Sequence, residues 1–540
     1  MPEAAAAAAF DALAAEFFPV WFRFHPEAAA AAGVPGYAGL PPAQGDDEVA
    51  ALGSWLEALV VALEELDYQG LDPGRQIDLR LMFGAARAEH QTLLEQDWRH
   101  RDPSCFLPME GLYRLVTGAG EAAPDRLVAL LGGLPDYLRL ALGHLRTVPG
   151  LICPLLIEAA VAEADGARCY LRELASSPWL RRQAGGRPSP IEGLVDGACA
   201  ALGRYAQGLR TGLAPQAGAP PGCGERQFRL LLRHRHFLDL DVGRTRAYLT
   251  ALAERTAAEL DALTARMALP VAEVRAPVDG ATPPPVSRLE NCRLEAERLR
   301  LFLTEAALLP LPEAPLNLRE RLPCPRPPRL ESDYLAGEDA GTLYLAISPD
   351  EPLAALRARV RRGTWGGAHL RAFAGGAQAR RLPRRVCAGA SLELAWGLYL
   401  DDRLTLAGYL SPEDRLYALG QRLEALRLGR LDLDLHLGCA TQRELAAVPR
   451  RELVSLLRRP ADALAGVLGW DALTRARDRC ESADPRAFDQ RAFHGRLLAQ
   501  GRIPVPLILE RVLGPEGWNA IAASWSSSGP TTVEITARWA

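Results

Sequence analysis

Not one lysine occurs among the 540 residues, so all 62 cations are arginine. This excludes Schiff-base lysine chemistry, and with it ordinary pyridoxal-phosphate and lysine-dependent aldol reactions. It also removes the P-loop lysine and the kinase strand lysine, and hence both common templates for phosphoryl transfer. The chain is rich in alanine and has only 4 methionines, a bias that GC-rich coding produces, so the missing lysine reads as a genomic trait. The net charge is −4, and a chain without a basic excess lacks the usual footprint of nucleic-acid binding. The ten cysteines are scattered with no CxxC pair, which argues against a cysteine zinc site and fits reduced thiols. The start MPEAAAAAAFDALAAEFF carries Glu3 and no cationic stretch, so it reads as a helix and not as a signal peptide. With no uninterrupted 18-residue apolar run found, the expectation is a soluble cytoplasmic protein with no membrane contact.

Apolar residues recur at i, i+3, i+4 and i+7 through nearly every long segment, among them DEVAALGSWLEALVVALEEL, RTRAYLTALAERTAAELDALTARM and EDRLYALGQRLEALRLGRLDLDLHL. That period is helical. Strand signals are confined to GTLYLAISP around Tyr344 and the terminal TTVEITARWA. The predicted fold is therefore all-α, one large helical body over 1–540 with a few short strands. Loop breaks are expected near 214–224 and 281–329, where proline and glycine concentrate.

Local catalytic motifs are scarce. The sequence contains neither HExxH nor GxSxG, and of its nine histidines only His234 and His236 are close in sequence. At i, i+2 those two face different sides of a helix, so they are a poor metal pair.

A more specific signal lies in the second half. The segment LAWGLYLD with Trp396 and Tyr399, the turn at Gly408 and Tyr409, and DLDLH with Asp432 and His436 follow one another. RRPADALAGVLG and FDQRAFHGRLLAQGRIPVPLILERV come after them, the latter carrying His494, Gly501 and Pro504. In this succession the chain resembles the bacterial domain of unknown function 885 family, whose members look like helical zinc metallopeptidases. The resemblance implies a helical scaffold over nearly the whole chain. It does not carry the chemistry. The family's approximate HExxPGHHL corresponds to RGTWGGAHL at 362–370, so Arg362, Gly363, Gly366 and Ala368 stand at the first histidine, the glutamate, the proline and the first paired histidine, and only His369 remains. The glutamate of EGWA falls on Leu394 beside Glu393, and a tyrosine usual in the proline-led helix is Gly466. One histidine cannot supply the three or more ligands that zinc requires, so no metal and no other cofactor is expected.

What stands there instead is charge of one sign. Residues 352–392 contain no acid, where the chain's overall share of 66 acids in 540 would place about five, and they hold nine arginines. An arginine fork suits a carboxylate. The expected ligand is a small anionic, amino-acid-derived or peptide-like molecule held by Arg361, Arg362 or Arg371, with Trp396 and Tyr344 as further contacts; an internally paired or solvated basic face is the alternative. His369, Tyr399 and the pair Asp432 and His436, four apart on one helix face, are the candidates for proton transfer. Three readings stay open: a repurposed metal-independent enzyme or binding protein, a catalytically dead pseudo-peptidase with a protein partner or as a homodimer, and a hydrolase with a rearranged site made of His369 and His436 with Asp432 or Glu393.

Overall fold

Apolar stripes at helical spacing must find one another, and they do so in three large clusters. The first joins the helices Pro2–Phe22, Asp46–Glu64 and Pro73–Gln96 around Phe10, Phe17, Leu56 and Met82. The second fills the space between Ala123–Thr147, Pro154–Ala175 and Pro190–Gly208. The third and largest lies among Val242–Met267, Ser391–Leu406, Pro412–His436, Asp462–Ala483 and Val505–Ala522, with Trp396, Tyr399, Leu464 and Trp525 at its centre. This computed structural model describes residues 2–118, 123–177, 190–267, 285–321, 334–337, 339–348, 350–387 and 391–526.

The fold is mainly α-helical, as the periodicity predicts. Among the described residues the named strands are β1 (Leu316–Glu320), β2 (Tyr334–Ala336) and β3 (Gly341–Leu345), in the order β1-β3-β2, with β1 parallel and β2 antiparallel to β3. Strand β3 is the strand read around Tyr344, whereas TTVEITARWA lies outside the described residues. Part of the break expected at 281–329 is instead the helix Pro285–Glu305.

Sequence also sets the helix ends. The Asp72 carboxylate accepts from the backbone N–H of Gly74 and Arg75 at 2.8 and 3.1 Å ahead of Pro73, a capped start with proline at the first helical position. Gly408, at φ +77°, supplies the left-handed residue that stops Ser391–Leu406, and the Tyr409 N–H then closes on the Leu404 carbonyl at 2.9 Å. The family-like glycine-tyrosine turn is thus a helix terminator.

One expectation from composition is corrected. Ala4–Phe22 is long and apolar enough to cross a membrane by length and composition, and a third of it is buried. Its aromatic residues are committed to the first cluster: Phe17 stacks on Trp21 and Trp55 with ring centroids 5.8 and 6.0 Å apart, and Phe17 is fully buried. Phe17→Ala is expected to destabilise the protein by about 3–5 kcal/mol, read as a lowered urea midpoint; a change below about 1 kcal/mol would show that this helix is not part of the core.

Candidate functional site

The acid-free stretch forms the helices Leu353–Gly363, Ala368–Phe373, Gly376–Ala379 and Leu382–Val386. Its counter-charges arrive from elsewhere in the chain. Arg361 is completely buried, with Glu295 and Asp414 oxygens 3.7 and 3.5 Å from Nη1 and an Asp401 oxygen 3.9 Å from Nε. Those carboxylates belong to three different helices, Pro285–Glu305, Ser391–Leu406 and Pro412–His436. Arg362 donates to Asp401 Oδ2 at 2.5 Å, and Arg359 pairs with Glu351 at 2.7 Å. Asp78 takes Arg384 at 2.8 Å and also Arg381, tying Leu382–Val386 to Pro73–Gln96. At Arg361 and Arg362, where the clamp is expected, carboxylates of the protein itself lie within 4 Å of both guanidiniums, although Arg361 Nε, Nη1 and Nη2 make no hydrogen bond among the described residues.

At the positions where a metal site would stand, side chains and glycines fit one another. Gly466 has no room for a Cβ because Leu394 occupies it, 2.6–2.9 Å from where that atom would lie. Gly363 and Gly366 are covered in the same way by Leu343 and Leu400, and Gly397 leaves the space along which the Arg362 stem runs. No group of three or more His, Cys, Asp or Glu stands together to hold a metal among the described residues. The residues present do not fit a zinc ion.

The candidates for proton transfer are not brought together. His369 is fully buried; its Nε2 donates to the Ala314 carbonyl at 2.9 Å, which leaves Nδ1 to accept from the Tyr334 hydroxyl at 2.9 Å. Burial holds the ring below the usual histidine range. Tyr399 instead meets His494, donating to Nε2 at 2.7 Å while Nδ1 donates to the Leu308 carbonyl at 2.7 Å. Asp432 and His436 do meet, 3.4 Å apart and both fully buried. Yet the two Asp432 oxygens accept from the N–H groups of Ala461 and Leu464, each at 3.1 Å. They thereby fasten the start of Asp462–Ala483, where Ala461 sits at φ +71°, a left-handed conformation that strains an L-residue. The Cys223 N–H donates to His436 Nδ1 at 3.0 Å, and Nε2 faces the Leu456 carbonyl at 3.2 Å. Burial lowers His436 to about 4 and raises Asp432 to about 8 against those backbone donors. Trp396 donates to the Gly366 carbonyl at 2.7 Å and Tyr344 to the Thr117 carbonyl at 2.9 Å, so each is used as a tether.

The fold has counterparts among known proteins. The family described as bacterial protein of unknown function (DUF885) matches residues 26–512. The chain belongs to the DUF885 family. A "putative lipoprotein of unknown function" from Shewanella oneidensis superposes with a TM-score of 0.67 at 15% identity, covering 93% of this chain and 99% of that one. A "putative lipoprotein" from Colwellia psychrerythraea gives 0.74 at 13% identity, covering 95% and 98%. At such identities the likeness is one of fold. No curated protein matches the chain.

In this DUF885 member two arginines meet on one carboxylate. Arg371, only 4% exposed at its side chain, pairs with Glu393, and Arg502 reaches the other oxygen of Glu393 at 3.2 Å. Against the burial that would raise it, Arg371 and Arg502 hold the Glu393 carboxyl below its usual range. Burial and the nearby Arg502 charge draw Arg385 below the arginine range, and Arg385 has no carboxylate partner among the described residues. Sequence points to Arg371, but Arg502 lies 131 positions on and carries no local signal.

Two outcomes follow from these charges. Arg361→Leu leaves three carboxylates without their shared cation and is expected to destabilise by about 3–5 kcal/mol, with partial recovery when Glu295→Gln is added; an unchanged urea midpoint would contradict the pairing. For His436 the folded ring stays neutral down to about 4, whereas the unfolded ring takes its proton near 6.5. The stability lead of wild type over His436→Asn is thus full above pH about 6.5 and shrinks as pH falls through about 4. Urea titrations across that window check it, and a pH-independent lead would count against it.

Proposed function

We propose that the protein is a metal-independent DUF885 member that binds a small carboxylate-bearing molecule, amino-acid-derived or peptide-like, at the cluster of Arg371, Arg385 and Arg502. The observation carrying this reading is that Arg371 and Arg502 converge on the two oxygens of one carboxylate, Glu393, beside the positions where the family's metal site would lie. Arg385 stands near Arg502 with no carboxylate of its own among the described residues, and the planar arginine fork favours a carboxylate. A second reading, a catalytically inactive scaffold with a protein partner, draws support from His369, Tyr399, Asp432 and His436, whose polar atoms are engaged by the protein's own groups. For that reason the proposal includes no transformation of the ligand at these residues. We infer further that Pro2–Phe22 serves as a core helix, since Phe17 packs against Trp21 and Trp55.

Elemental analysis of the purified protein, followed by thermal-shift screening against N-acyl amino acids, dipeptides and dicarboxylates, tests the reading. A carboxylate is expected to raise the melting midpoint, and Arg502→Ala is expected to weaken its binding by about tenfold or more. Stoichiometric zinc, or undiminished binding by Arg502→Ala, would overturn it. Binding of no small molecule alongside a stoichiometric protein partner would transfer the assignment to the scaffold.

A further inference from the structure

The helix Leu353–Gly363 presents two faces of different kinds. On one of them Arg362, at the family's first histidine position, pairs with Asp401. Leu353, Leu356, Arg357 and Val360, spaced i, i+3, i+4 and i+7, share the opposite one. There they face the helix Pro285–Glu305 across a cavity of about 230 Å³, whose lining Cys292, Leu294, Glu295 and Arg298 complete from that second helix. Leu294 and Arg298 are each more than half exposed, so the cavity is open to solvent.

The cavity carries charge of both signs beside an apolar wall. Glu295 is 7% exposed; its Oε1 accepts from the Tyr409 hydroxyl at 2.9 Å, whereas Oε2 faces Arg298 Nη1 at the long distance of 3.5 Å. Arg298 lies over the Tyr409 ring, 4.4 Å from its centroid, and donates from Nη2 to the Tyr409 carbonyl at 3.0 Å, which fixes the plane of its fork. Arg357 comes no closer than 3.5 Å to Asp414. Of the five N–H donors on each guanidinium, two on Arg298 and one on Arg357 are engaged among the described residues. Leu353, Leu356 and Val360 form the apolar wall. A purely anionic ligand would meet Glu295 and a purely cationic one would meet two guanidiniums. A molecule with one charge of each sign next to an apolar group satisfies all of these surfaces.

We propose that this cavity is a reversible binding site for a free apolar α-amino acid of the size of valine, leucine or methionine. The α-carboxylate lies against Arg298 and Arg357, the α-ammonium against Glu295 Oε2, and the side chain against Leu353, Leu356 and Val360. A cavity of about 150 Å³ holds benzene, so 230 Å³ takes the amino-acid head group together with a side chain of about four heavy atoms. The ligand leaves unchanged, because the Cys292 thiol in the lining is kept protonated by burial, which raises it to about 11. The site lies on the face of Leu353–Gly363 opposite Arg362, shares no residue with the cluster of Arg371, Arg385 and Arg502, and stands independently of the carboxylate-binding reading.

Isothermal titration calorimetry of L-leucine into the full-length protein tests it, run beside 4-methylpentanoate, which lacks the ammonium, and leucinamide, which lacks the carboxylate. Saturable binding of leucine is expected, weaker by about tenfold or more for either analogue and in Arg298→Gln and Arg357→Gln. The carboxylate-binding reading is scored by Arg502→Ala and this site by the other two variants, so either can fail alone. Leucine binding that falls in Arg502→Ala but persists in Arg298→Gln and Arg357→Gln overturns the proposal. So does the absence of saturable heat from leucine, valine and methionine up to about 10 mM, or binding of 4-methylpentanoate as tight as that of leucine. Because the analogue series uses the wild-type protein, a variant that fails to fold does not remove the test.

Discussion

A guanidinium removed entirely from water has to be surrounded by opposite charge, and the placing of Arg361 imposes that condition on three helices together. Desolvating an arginine and three carboxylates costs several kcal/mol per ion before any attraction is counted. The arrangement persists only where Glu295, Asp401 and Asp414 are all held close. Pro285–Glu305, Ser391–Leu406 and Pro412–His436 are therefore registered against Leu353–Gly363 by charge as well as by apolar packing. Asp401 serves twice, since it also accepts from Arg362.

The same condition explains how a stretch with nine arginines and no acid can lie largely inside a protein. Neutralisation proceeds along it unevenly. Carboxylates surround Arg361 and Arg362, two arginines share Asp78, and Arg371 and Arg502 share Glu393. A sequence count finds the excess, but only the fold shows where it survives.

The helical fold was legible because periodicity is local: each of the quoted stripes became a helix, and GTLYL became β3. The acid-free segment was legible for the same reason. What could not be read were partners brought in from afar. Glu295 and Asp414 flank Arg361 by more than 50 residues on either side, and His236 meets Ser391 across 155 positions. Asp432 and His436 were correctly paired by their i, i+4 spacing, yet the backbone groups that occupy them, from Ala461, Leu464 and Cys223, leave no trace in side-chain identity. The apolar N-terminal stretch was read from its charges, whereas its five buried aromatics, Phe10, Phe17, Phe18, Trp21 and Phe22, decide where it packs.

The contact between Leu394 and Gly466 couples two positions. A Cβ added at 466 would lie 2.6–2.9 Å from Leu394 atoms, so a larger residue there requires a smaller one at 394. Ser391–Leu406 and Asp462–Ala483 approach this closely only while both residues are kept, and the two positions are expected to tolerate substitution together rather than singly.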